Sequence, residues 1–253
     1  MTLERDQVFR GLVLNSYSYH DNDQMVKVFT DKFGIRTFLV RGTKKANSKN
    51  RYLTLPFTYG TYLGTINDRG FSYFNGAKKV EQFSKISSDI ELNAYVTYIN
   101  DLVVRTFPEE ESQSNWFEKL LSATKLIDSG LDPEIITNIM EIQLLQPLGV
   151  EPNFRSCVIG GETKGTFDYS LILSGILCSK HWEHDLHRLH LMPKVVSYMR
   201  LFSRIHFSQI GKIDVSEQVK AQLRSTIDMI YHDSVGIYPK SKKFIDQMYR
   251  WRL

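Results

Sequence analysis

The hydrophobic pattern of this chain changes period once, near residue 86, and that change divides its architecture. Before it, β-forming residues come in short runs bounded by turn residues, the signature of closely spaced strands. Residues 8–14, MVKVFT (25–30), GIRTFLVRG (34–42), TYLGTI (61–66) and GFSYFN (70–75) are five such runs in about 70 residues, with no convincing helix between most of them. Asn67-Asp68-Arg69-Gly70 marks the turn between the last two. Gly11, Gly34, Gly60 and Gly64 interrupt or begin the strands, as expected where a small sheet bends or bulges. A small closed barrel over residues 1–80 accounts for this pattern. The five-stranded OB-fold and an SH3-like barrel fit it equally.

After residue 86 the apolar spacing becomes that of helices. Ser88-Asp89-Ile90-Glu91 reads as a capping box ahead of an apolar segment that reaches Phe107, stopped by Pro108 and three glutamates. WFEKLLSATKLID forms a second helix ended by Gly130, and Asp132-Pro133-Glu134 opens a third that closes at Pro147 and Gly149. LMPKVVSYMRLFSRI and VSEQVKAQLRSTIDMIYHD are two further amphipathic helices, with Asp214 and Glu217 spaced as a cap for the second. The fold class is α+β. A barrel over 1–80 is followed by a helical bundle over 81–149, an insert of different texture over 150–190, and closing helices over 191–253.

The insert holds both cysteines and four of the seven histidines. Cys178 and His181 have the spacing of a zinc-ligand pair, but Cys157 is followed at that spacing by Gly160, which offers no ligand atom. Three candidate ligands remain: Cys157, Cys178 and His181. His184, His187 and His190 follow at a period of three, which on an α-helix drifts around the surface rather than converging. The expectation is that both cysteines pack as small apolar groups and that no stoichiometric zinc is held. A three-ligand site with an open position is the alternative, and it is the geometry of a catalytic zinc. No H-x-E or H-E-x-x-H motif supplies a base for such an enzyme.

Charge is unevenly spread. Residues 1–80 carry 13 Lys and Arg against 6 Asp and Glu, whereas 81–253 carry 19 against 22. Much of the surplus lies in RGTKKANSKNR (41–51), which has five basic residues and no acidic one. Such a loop is either solvated surface or a phosphate footprint. On the second reading Arg36, Arg41, Lys44, Lys45, Lys49 and Arg51 contact a nucleic-acid backbone, with Arg10 and Lys27 as weaker candidates. Alternation sets Arg36 opposite Ile35, taken here as outside the core. Tyr52, Phe57, Tyr59 and Tyr62 are the nearby aromatics considered for base stacking. A smaller cluster, Lys240, Lys242, Lys243, Arg250 and Arg252, lies near the C-terminus.

There is no phosphate-cradling G-x-x-x-x-G-K-[ST], no G-x-G-x-x-G and no G-x-S-x-G elbow. Neither a secretory leader nor an 18-residue apolar span is visible, and two cysteines make no disulfide framework. The chain reads as a cytoplasmic binding protein rather than an enzyme.

Residues 11–45, GLVLNSYSYHDNDQMVKVFTDKFGIRTFLVRGTKK, resemble the RecO family of bacterial recombination and repair mediators. They share a strand, a polar turn, a strand ending in FT, a glycine, and a strand closing in a basic loop. The order that follows extends the resemblance over essentially the whole chain: a bundle, Gln146-Pro147-Leu148-Gly149, a cysteine-bearing insert and closing helices. The resemblance implies an N-terminal OB-fold, a helical domain and, in many members, a zinc-binding segment with two cysteine pairs. Here Gly160 and His181 stand in two of those four positions, so the insert is expected to be a degenerate zinc-finger-like one with no cofactor. It also implies binding of single- and double-stranded DNA, annealing of complementary strands, and loading of recombinase at gaps together with RecR and single-strand-binding protein. A protein–protein adaptor with little DNA affinity is the rival reading.

Overall fold

The structure is a computed structural model and describes residues 3–45, 48, 50–68 and 70–252. Five strands, β1 (Leu3–Tyr19), β2 (Asp23–Thr30), β3 (Gly34–Val40), β4 (Thr58–Asn67) and β5 (Ser72–Gln82), close into a barrel in the order β1-β2-β3-β5-β4. This is the OB-fold order, and all five sequence runs are strands in it. The long β1 serves two partners, β2 with its second half and β4 with its first, and bulges where it changes direction, at Glu4/Gln7 and Val13/Asn15. Closure depends on β3 and β5, which meet in parallel through Phe38↔Ser72 and Leu39↔Tyr73. Inside the barrel Phe9, Val13, Val28, Phe38, Tyr62 and Ile66 form the buried core. The Phe38 and Phe74 rings stack there with centroids 4.4 Å apart. Gly11 and Gly60 face each other across β1 and β4 because the wall is crowded: a Cβ on Gly11 would meet Val28 Cγ1 at 2.7 Å.

Three helices belong to the same compact unit, which ends at Gly130: α1 (Ser84–Ser88), α2 (Ile90–Thr106) and α3 (Ser114–Ser129). The expected 81–149 bundle is therefore divided, since Phe29 of β2 stacks edge-on to Phe117 of α3 at 5.8 Å. The α2–α3 link also pairs with the barrel, where the Glu110 amide donates to the Ile35 carbonyl at 3.0 Å. The helix cap lies one residue later than the capping-box reading. Ser88 ends α1 with its hydroxyl on the Ser84 carbonyl, while Asp89 accepts from the amides of Glu91 and Leu92 at 2.8 and 3.1 Å.

The second unit runs from Leu131. Asp132 caps α4 (Pro133–Leu144), which is buried along almost its whole length. α5 (Pro193–Phe202) and α6 (Glu217–Ile230) pack against it, and α7 (Lys240–Arg252) follows. Ser216 precedes α6, and the expected Asp214–Glu217 cap is not formed. The insert is a hairpin, β6 (Phe167–Ser170) with β7 (Gly175–Cys178), followed by a 3₁₀ segment over Ser179–His184. His184, His187 and His190 therefore do not share an α-helix.

Gly34 has φ +66°, and a Cβ there would stand 1.9 Å from the Glu111 carbonyl oxygen. Gly34→Ala should cost about 2 kcal/mol or more, since both the left-handed backbone and the docked link oppose it. Urea unfolding followed by circular dichroism measures this as a lowered midpoint.

Candidate nucleic-acid interface

The basic loop leaves β3 at Arg41 and is fastened at once to the β1–β2 turn. Gly42 takes φ +67°, which directs its amide onto Asp23 Oδ1 at 2.8 Å. The Lys44 amide donates to the Asn22 carbonyl at 3.2 Å, and the buried Thr43 hydroxyl reaches the same oxygen. The backbone is pinned, while the side chains of Arg41, Lys44 and Lys45 are exposed. None of the three forms an ion pair among the described residues. The two turns enclose a shallow depression lined by His20, Asp21, Asn22, Asp23, Arg41 and Lys45. Arg51 is also exposed, at the head of a 3₁₀ turn over Arg51–Thr54.

Aromatic rings border this cationic end. The Arg41 guanidinium lies 5.9 Å from the Tyr73 ring, and Tyr19 touches His20 at 4.2 Å and Phe71 at 5.7 Å. Sequence proximity pointed instead to Tyr52, Phe57, Tyr59 and Tyr62. Of these, Tyr52 is 47% exposed, Phe57 and Tyr62 are buried, and Tyr59 lies under Lys125 at 5.1 Å. Tyr19, Phe71 and Tyr73 were missed because they are distant along the chain. The barrel order is the signal that finds them, since it pairs the start of β5 with the end of β3.

Among the other predicted cations, Arg36, Arg10, Lys27 and Lys242 are held in ion pairs. Arg36 is 6% exposed, which corrects its placement outside the core. Alternation does set it opposite Ile35, but Phe38 and Val40 fill the barrel and Arg36 shares their face. It donates to the carbonyls of Phe33 and Asn67 and pairs with Asp68 and Glu110 at 3.4 and 3.5 Å. Ile35 is buried on the opposite face, beside the α2–α3 link. Arg10 pairs with Asp31 at 3.0 Å and with Glu118, and Lys27 pairs with Glu109 at 2.6 Å. Lys49 lies outside the described residues. In the C-terminal cluster Lys242 is buried between Asp228 and Asp246 at 2.9 and 2.8 Å. Lys240, Lys243 and Arg250 are exposed, and the Arg252 side chain lies outside the described residues.

In the second unit Cys157, Cys178 and His181 do converge, and they do so with a fourth residue that spacing did not single out, Glu162. A carboxylate thus joins the three candidate ligands named from the sequence. Burial opposes ionisation of the Cys157 thiol, but the amides of Cys178, Gly160 and Ile159 outweigh it and bring the thiol down to about 7.

Comparison with known proteins agrees with this architecture. Residues 5–83 match the family model "Recombination protein O N terminal", and residues 87–243 match "Recombination protein O C terminal". Among similar curated proteins, the "DNA repair protein RecO" of Ligilactobacillus salivarius is 46% identical over 242 residues, covering 95% of this chain and 93% of that protein. Those of Leuconostoc mesenteroides and Enterococcus faecalis are 43% and 42% identical, covering 97% and 96% of this chain and 95% and 92% of theirs. Among the described residues, no helix is long and apolar enough to cross a membrane.

The Asp23 carboxylate is what holds the loop at Gly42. Asp23→Ala should cost about 1 kcal/mol of stability, with the Gly42 amide exchanging several-fold faster than the β2–β3 ladder amides in hydrogen-exchange NMR.

Proposed function

The chain belongs to the recombination protein O family, and from that premise we propose that it acts in DNA repair and recombination by binding DNA at the cationic end of its barrel and annealing complementary single strands. The observation that carries this reading is the pinned loop, whose exposed Arg41, Lys44 and Lys45 have no carboxylate partner among the described residues. Unpaired cations on a fixed backbone lose no internal salt bridge when phosphates arrive, and they lose little backbone entropy. Arg51 adds a fourth charge nearby in sequence, and Lys49 a fifth. Phosphate contacts of this kind position a strand without selecting its sequence.

Annealing requires no covalent step. Two single strands repel one another, and neutralising their phosphates lowers that barrier while the base edges stay free to pair. Tyr19, Phe71 and Tyr73 provide ring faces beside the cations, and stacking on such faces tolerates any base. The same basic end can follow duplex phosphates, because backbone contacts do not distinguish strand number. RecR and single-strand-binding protein are the protein partners on this reading, with recombinase loading at gaps as the outcome. Family membership supports that part, and the loop geometry supports the DNA part.

Fluorescence anisotropy of a labelled single-stranded oligonucleotide against salt tests the proposal. Four to five contacts give a logarithmic salt slope of roughly −3. The variant Arg41→Glu, Lys44→Glu, Lys45→Glu should lose at least about tenfold in affinity, reduce the slope by about 2, and slow annealing, with an unchanged melting temperature. A variant that binds and anneals like the parent overturns the assignment and leaves the loop as solvated surface.

A further inference from the structure

The insert brings together four side chains that the DNA-binding reading does not use. Two tight turns present them. The first is closed by its own backbone, the Cys157 amide on the Glu162 carbonyl at 2.8 Å and the Gly161 amide on the Cys157 carbonyl at 2.9 Å. The second leaves β7 at Cys178 and carries His181. The Val158 amide joins the turns by donating to the Ile176 carbonyl at 2.9 Å. Their candidate ligand atoms all lie within 4.8 Å of one another.

The spacings suit a metal better than they suit hydrogen bonds. His181 Nδ1 stands 3.5 Å from Cys157 Sγ, 3.3 Å from Cys178 Sγ and 3.7 Å from Glu162 Oε2. A tetrahedron with bonds of roughly 2.0–2.3 Å has edges of about 3.3–3.8 Å. One imidazole nitrogen carries at most one proton, so it cannot satisfy two sulfurs and a carboxylate together. Glu162 Oε2 is sealed from solvent and has no hydrogen-bond partner among the described residues. The Cys178 amide points at Cys157 Sγ from 3.4 Å, the outer-shell support a thiolate ligand needs.

Gly160 explains why a carboxylate can stand there. A Cβ at that position would lie 2.2 Å from Glu162 Oε2 and 2.3 Å from His181 Cε1. Any side chain on residue 160 would occupy the space these two groups fill. The glycine and the glutamate are therefore one arrangement: the site that lacks a cysteine at 160 receives an oxygen from 162.

We propose that Cys157, Glu162, Cys178 and His181 form a closed four-ligand zinc site in this chain, with Glu162 taking the ligand position that Gly160 does not supply. This departs from the sequence expectation that no stoichiometric zinc is held and from its three-ligand alternative, and it does not depend on the DNA-binding reading. Two thiolates, an imidazole and a carboxylate suit a borderline-soft divalent ion. When bound, zinc supplies a structural cross-link between the 157–162 turn and the hairpin, with no open position for chemistry.

The test is elemental analysis of the full chain, purified under reducing conditions, supplied with zinc and gel-filtered. Cobalt titration followed by absorption spectroscopy accompanies it. The parent should retain one zinc per chain and give the visible bands of tetrahedral cobalt with sulfur-to-cobalt charge transfer. Glu162→Ala should bind at least about tenfold more weakly in competition with a chromophoric chelator, and Cys178→Ala should lose stoichiometric metal. Glu162→Gln, which keeps the shape of the side chain and removes its charge, should weaken binding in the same direction and decides the matter if Glu162→Ala fails to fold. A parent that retains no zinc, or a Glu162→Ala or Glu162→Gln variant that binds like the parent, would overturn the proposal.

Discussion

The barrel depends on one short seam. β1, β2 and β3 form a meander and β4 and β5 a hairpin, and the contact of β1 with β4 alone would leave an open sheet with β3 and β5 as its edges. The parallel pairing of Phe38 with Ser72 and Leu39 with Tyr73 removes both edges. It also lets Phe74 reach Phe38 and complete the interior. The same pairing carries the first residues of β5 to the exit of β3, where the basic loop begins. Fold closure and the composition of the cationic end thus have a common cause.

Burial and pairing, rather than charge count, decide which cations on this surface are available. Arg36 ends on the barrel's inner face and needs two carbonyls and two carboxylates to offset the loss of water. Arg10 and Lys27 lie where α3 and the α2–α3 link bring acidic residues against the barrel wall. After Val40 the exposed Arg41, Lys44 and Lys45 form no ion pair among the described residues, although Asp21 and Asp23 line the same depression. The C-terminal cluster follows the same logic, with Lys242 buried between carboxylates and its neighbours Lys240 and Lys243 outside.

What could be read in the sequence was local. Period-two runs and turn residues reveal the five strands, and Asp132-Pro133 and Gly130 mark helix ends that the structure keeps. Arg36 shows the limit of alternation, which says that Arg36 and Ile35 face opposite ways but not which way is in. On a strand covered on both faces, polarity does not decide the question. Tyr19 and Tyr73 join the candidate interface through a pairing of distant segments, which no window of sequence displays. Glu162 was invisible because the ligand template counts cysteine and histidine pairs, and a carboxylate five residues from Cys157 matches none. Asp89 took the cap from Ser88 because the preceding turn had already used the serine hydroxyl.

The β3–β5 seam has a dynamic consequence. It is the shortest pairing in the barrel, so local opening of the sheet at low free energy begins there rather than along the long β1–β4 ladder. Arg41 stands on one side of the seam and Tyr73 on the other. A nucleic-acid strand lying across both would act as a clamp, linking occupancy to the breathing of the barrel. By mass action, a ligand at a hundred times its dissociation constant adds about 2.7 kcal/mol to the closed state. The barrel would then be most rigid when it is loaded and most open when it is empty.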